Sequence, residues 1–239
     1  MTVDLVAIMA HPDDAELLCA GALLAAADAG HRTGILDLTA GEAGSYGTLG
    51  GRRAEAESSA KILGVARREN AGLPDGRLDA TIEARGTVAN WIRELRPGTV
   101  ILHWPAARHP DHAAASTLGR DACFVAGLRN ADLPGEPHRP AKLLYALAFQ
   151  EATPPPTFVV DITDQMDRKL EAIFAFGSQF GGKTSMGDLF GGGTRPLREQ
   201  ILAHHAHYGS LIRRPYGEPY WTRETMLVED VVRLPVNSL

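Results

Sequence analysis

Two cysteines, Cys19 and Cys123, are all that the 239 residues contain, and both fall inside apolar helical patterns. Neither a disulfide framework nor a thiolate-ligated zinc site is indicated, and both cysteines are read as buried thiols. Long apolar runs are wanting too. The longest, Leu17 to Ala29, is too short and too alanine-rich to span a bilayer, and Met1-Thr2-Val3-Asp4 lacks the basic start of a signal peptide. The expectation is a cytoplasmic protein with no membrane partner. Positive charge is also scarce: the formal net charge is -5, and the arginines are scattered rather than grouped with stacking aromatics. Nucleic acid is therefore a poor partner and a small molecule a better one.

What is present is apolar material for one sizeable core, with hydrophobic residues at 44% and charged residues at 22%, which predicts a single domain over 1–239. Short β-branched runs alternate with helical patterns. Strands are predicted at Val3 to Met9, Thr33 to Leu38, Arg67 to Asn70, Thr99 to Leu102, Lys142 to Ala148 and Thr157 to Val160. Helices are predicted at Ala15 to Ala29, Arg52 to Leu63, Thr81 to Leu95, His112 to Ala126, Thr163 to Phe176 and Leu197 to Tyr208. This alternation is the βαβ signature of an α/β protein with a mostly parallel sheet. Two glycine-rich loops, Thr39 to Gly51 and Gly181 to Thr194, exceed the usual few residues. The first leaves a strand end and should line a site; the second is read as a lid or as disordered chain.

The most informative feature is a repeated tetrapeptide. His11-Pro12-Asp13-Asp14 follows the first strand, and His109-Pro110-Asp111-His112 follows a later one. Taken singly, such a stretch reads equally well as a turn whose Asp caps the next helix. Two in one chain point elsewhere. If their strands are parallel neighbours, the tetrapeptides meet at the carboxyl edge of the sheet, where open α/β folds bind ligands. A catalytic zinc needs about three protein ligands and an open position, and His11, Asp14 and His112 can supply that set. An ion so held activates water and polarises a carbonyl, which makes amide hydrolysis the natural chemistry. Asp13 is then placed to take a proton, and His109 to stabilise an oxyanion or protonate a leaving amine. Asp111 either orients an imidazole or caps its helix. The same donors accept iron, cobalt or manganese.

Beyond these tetrapeptides, the chain carries Asp37-Leu38-Thr39 with Gly41-Glu42, Arg52 with Ala54-Glu55-Ala56, and Ile62-Leu63-Gly64. It also carries Asn70 with Gly72-Leu73-Pro74-Asp75-Gly76, Arg108 before the second tetrapeptide, His138-Arg139-Pro140, Tyr208-Gly209-Ser210, and Tyr216-Gly217-Glu218-Pro219. In these it resembles the PIG-L/LmbE-like zinc deacetylases, and within them the bacillithiol-biosynthesis deacetylases that act on N-acetylglucosaminyl malate. The resemblance implies a Rossmann-like three-layer sandwich, often assembled as a homo-hexamer, with one Zn2+ per subunit on His11, Asp14 and His112. It implies Asp13 as general base and His109 as the charge-stabilising acid. It further implies Arg52, Arg108 and Arg139 as substrate contacts, a task suited to the bidentate arginine fork. Tyr46, Ala20 and the Gly181 to Gly193 stretch depart from the family pattern and bear on substrate preference. Other readings are a related deacetylase or thiol-conjugate amidase, and a sugar-binding protein whose metal is structural.

Three further signals carry less. Gly177 to Thr184 satisfies P-loop spacing, but a helical pattern rather than a strand precedes it. His204, His205 and His207 read as a solvated helix face. His31 and His103 read as structural, with His103 and Trp104 at a strand end where they can border a pocket.

Overall fold

Strands β1 (Leu5–Met9), β2 (Thr33–Asp37) and β4 (Thr99–His103) are apolar on both sides of the pleat, and nearly every residue in them is buried. Such strands belong in the interior of a sheet covered on both faces. In the computed structural model, which describes residues 1–149, 151–181 and 195–236, that is where they lie. With β3 (Arg67–Asn70), β5 (Lys142–Ala146), β6 (Phe158–Asp161) and β7 (Gly217–Trp221) they form one seven-stranded sheet in the order β3-β2-β1-β4-β5-β7-β6. β1 to β5 pair in parallel, and β7 runs antiparallel to both its neighbours.

The helices are α1 (Asp14–Asp28), α2 (Leu49–Leu63), α3 (Ile82–Leu95), α4 (Pro110–Ala126), α5 (Met166–Phe174), α6 (Gly177–Phe180) and α7 (Leu197–Leu211). Alternate strand residues feed opposite layers. Val6, Ile8, Val100 and Leu102 pack with Val88 and Ile92 of α3 and Leu118 of α4. Ala7, Met9, Ile35 and Ile101 pack with Cys19, Leu23 and Leu24 of α1. A third cluster joins Leu170 and Ile173 of α5 to Leu197 and Ile201 of α7. The result is the three-layer α/β sandwich that the alternation implied. Both cysteines are free and buried. Among the described residues, no helix is long and apolar enough to cross a membrane.

Several boundaries differ from the sequence reading. α2 begins at Leu49, because Thr48 accepts a hydrogen bond from Gly51 N at 3.1 Å and caps the helix despite its two early glycines. α4 begins at Pro110, in the first turn that proline favours. β7 was not anticipated at all.

From β1 the chain winds outward one way through β2 and β3, and from β4 it proceeds the other way. The reversal between β1 and β4 leaves a crevice at their carboxyl ends, the place where doubly wound sheets bind ligands. The register Leu5↔Thr99, Val6↔Val100, Ala7↔Ile101 brings the two strand ends to nearly the same height.

Candidate metal centre

The two tetrapeptides leave those strand ends and meet over the crevice. The first turns sharply: Asp13 has φ 117°, outside the ordinary range for a residue with a side chain. Such a conformation costs on the order of 1–3 kcal/mol and persists only where the surroundings over-determine it. Asp14 opens α1, and its Oδ2 accepts from His11 N at 2.8 Å, closing the turn. In the second tetrapeptide His109 is the N-cap of α4. Its Nδ1 accepts from Asp111 N at 3.2 Å, which places the ring hydrogen of the neutral form on Nε2.

His11, Asp14 and His112 each offer a donor atom within 4.8 Å of the others. His11 Nδ1 lies 3.3 Å from Asp14 Oδ2, and His112 Nε2 lies 3.2 Å from Asp14 Oδ1. Ligands about 2.1 Å from a tetrahedral ion stand roughly 3.4 Å from one another. The donor set therefore fits a zinc-sized ion. Support for His11 comes from its far side, where Nε2 lies 3.0 Å from Asp75 Oδ1 and 3.3 Å from Asp111 Oδ2. Carboxylates there hold the hydrogen on Nε2 and leave the Nδ1 lone pair for a cation. Asp111 also accepts from Gly76 N at 2.7 Å, and Asp75 from Ala43 N at 2.8 Å, so both acids are themselves fixed. Of the two roles open to Asp111, the structure shows it against the His11 imidazole, while His109 is the cap.

The electrostatics agree with the geometry. Burial opposes a charge on His11, yet Asp14, Asp13 and Asp75 outweigh it and push the imidazole up to about 10. Burial also works against ionisation of Asp14, but the neighbouring His112 holds it well below the usual carboxylate range. Asp13 is raised by burial and by Asp14, against the pull of Arg52 and His11. This surplus of acid around a pair of imidazoles favours a positive charge at their centre. Burial and the neighbouring His112 hold His109 below the ordinary histidine value.

His103, 1% exposed, stacks on His112 with ring centres 4.2 Å apart. Its Nε2 accepts from Ala10 N at 2.9 Å, so the lone pair is already used and the 3.3 Å approach to Asp14 Oδ2 is proximity alone. Burial, with His112 beside it, lowers His103 to about 4. It is a structural member of the site and lines the pocket as well.

A cavity of about 570 Å³ opens above these groups. Tyr46, Trp104, Phe149 and Phe180 form its aromatic walls, and Ala43 to Tyr46 bring the first glycine-rich loop to its rim. Arg108 and Arg52 also line it. Arg52 differs from the reading of its sequence: it is buried, and its guanidinium donates to Pro12 O, Gly41 O and Asp13 Oδ2. Arg139 is a plain correction. It precedes β5 and so lies at the opposite, amino-terminal edge of the sheet, where it rests 4.6 Å from the centre of the Phe124 ring and donates to Phe124 O. It does not reach the cavity of this chain.

The histidines of α7 need correction as well. His205 is buried, its Nδ1 2.9 Å from Gly217 O, and His204 packs edge-on against Phe149 at 5.1 Å. Of the three, His207 alone is exposed. Beyond Gly181, the Gly181 to Thr194 loop lies outside the described residues, as do the last three positions of the P-loop match, whose opening Gly177–Phe180 is helical. Asp75 was given no part by the sequence reading. Its one local signal was a Pro-Asp-Gly turn, and the contact that gives it meaning joins residues distant in the chain.

Residues 6–123 match the family model described as PIG-L, GlcNAc-PI de-N-acetylase. The chain is 37% identical over 185 residues to diacetylchitobiose deacetylase of Thermococcus kodakarensis, covering 71% of this chain and 67% of that one. It is 29% identical over 195 residues to the probable N-acetyl-alpha-D-glucosaminyl L-malate deacetylase 2 of Bacillus anthracis, covering 74% and 82%. Among solved structures it is similar to a conserved protein from Thermus thermophilus, with TM-score 0.86, 37% identity, and coverage of 98% of this chain and 100% of that one.

Proposed function

This chain belongs to the PIG-L family, and from that premise we propose that it is a metal-dependent hydrolase removing the N-acetyl group from a glycoside of N-acetylglucosamine. The observation that carries the reading is the convergence of His11, Asp14 and His112 beside Asp13 at the floor of an aromatic-walled cavity. His11 through Nδ1, His112 through Nε2 and Asp14 through its carboxylate would hold the ion, and zinc is among those that this donor set accepts. When bound, it supplies Lewis acidity that makes water a nucleophile at neutral pH and polarises the acetyl carbonyl.

The chain's own residues do the rest. Asp13, on the turn between two ligands, takes the proton of the attacking water and can pass it to the departing amine nitrogen. His109, with Nδ1 occupied by Asp111 N and its hydrogen on Nε2, donates toward the carbonyl oxygen as negative charge develops. Acetate and a free amine leave. Tyr46, Trp104, Phe149 and Phe180 offer faces on which sugar rings can stack.

A neutral aglycone such as a second sugar suits these walls best, and the similarity to the chitobiose enzyme supports it. A malate conjugate is the second reading, favoured by Arg108 on the wall and by the Bacillus relative. Acetate release by zinc-loaded protein from N-acetylglucosamine, diacetylchitobiose and N-acetylglucosaminyl malate tests both. The expected order of kcat/KM puts the disaccharide first. The malate conjugate in first place, with Arg108→Ala raising KM for it alone, selects the second reading, and no release from any of the three refutes both.

A further inference from the structure

Arg52 is 5% exposed, and hydrolysis as described makes no direct use of it. Its Nη2 donates to Pro12 O at 2.8 Å and to Asp13 Oδ2 at 3.2 Å, and its Nη1 donates to Gly41 O at 3.1 Å. The fork is thus shared between the first tetrapeptide and the glycine-rich loop. Those glycines make the arrangement possible. A Cβ on Gly41 would overlap Nη1 outright, one on Gly44 would stand 2.9 Å from it, and one on Gly47 would press on Cγ at 3.2 Å. The loop is a sleeve around one arginine side chain.

What the fork grips is the one non-glycine turn at this site with a positive φ, at Asp13. Immediately on either side of Pro12 and Asp13 stand His11 and Asp14. We propose that Arg52 is a positioning residue, whose planar fork holds the 11–14 turn in its strained form and so aims His11, Asp13 and Asp14 at one point. The three acceptors are served from two nitrogens of the fork, a reach that suits a guanidinium better than the single nitrogen of an ammonium. The proposal rests on the ligand and base assignments above.

Two variants test it, Arg52→Lys, which keeps the charge and loses the fork, and Gly44→Ala, which keeps the arginine and crowds its Nη1 with a methyl. The readouts are Co2+ affinity by chelator competition, the visible spectrum of the Co2+ protein, and kcat and KM for acetate release from diacetylchitobiose. Both variants should bind Co2+ about tenfold more weakly, show an altered spectrum, and lose about tenfold or more in kcat while KM stays within about twofold. A KM raised about tenfold with kcat and Co2+ affinity unchanged would make Arg52 a substrate ligand and overturn the proposal. Unchanged values throughout would overturn it as well. Wild-type protein that binds Co2+ and releases no acetate would sink the hydrolytic reading alone, and the Co2+ affinities of the variants would still decide this one.

Discussion

Asp13 and Asp14 are neighbours with the same side chain and opposite surroundings. The imidazole of His112 keeps Asp14 ionised against the cost of burial, whereas burial beside Asp14 lifts Asp13 and makes it readier to hold a proton. That division predicts separable losses. Asp13→Asn should retain metal in a chelator competition yet lose about 10²–10⁴-fold in kcat, the range typical of a missing general base. The proposed ligands were legible in the sequence because each tetrapeptide is local, its spacing is short, and strand ends flank both. Asp75 was not legible, since its bond to His11 joins two loops that only the finished sheet brings together. Arg139 misled for the converse reason: a motif of three residues says nothing about which end of a strand it occupies, and here it occupies the far one.

Among the elements, β7 was the hardest to read. Pro219 argues against an internal strand, but β7 meets β5 only through Tyr145↔Trp221 and Ala146↔Tyr220, so the proline escapes that ladder. β7 also delivers the fully buried Glu218, which accepts from Gly21 N and Ala22 N of α1 at 2.7 Å each and pairs with Lys169 of α5 at 2.6 Å. Lys169→Met would strand that carboxylate, and urea denaturation should record a loss of about 3–5 kcal/mol, partly recovered by adding Glu218→Gln. On α7, burial first and Lys169 second lower His204 to about 4, and the same causes hold His205 well below its ordinary value. Their folded forms stay neutral while the unfolded chain takes up protons below about 6.5, so stability is full above that pH and declines as pH falls toward about 4. The unfolding free energy of His204→Phe, from urea denaturation, should therefore fall less between pH 7.5 and pH 5 than that of the wild type, by about 2 kcal/mol.

For the molecule as a whole, the parallel sheet was legible because alternating strand and helix patterns admit few arrangements, and strands with apolar centres such as β1, β2 and β4 must lie inside. The strand order was not, since a pattern of residues does not say where the winding reverses. Binding of an ion by the folded form alone adds stability by mass action, about 2.7 kcal/mol at a hundredfold excess over Kd. Zinc should accordingly raise Tm by several degrees, chelation should reverse the rise, and His112→Ala should show neither. The reversal point has a mechanical consequence. β1 and β4 touch directly, yet nearly the whole first half of the described chain separates them in sequence, so their junction is a seam between two windings. An ion gripped by His11 and Asp14 on one side and His112 on the other would fasten that seam like a clasp, slowing deuterium uptake at Val100 and Ile101 while leaving the distant β6–β7 pair to breathe as before.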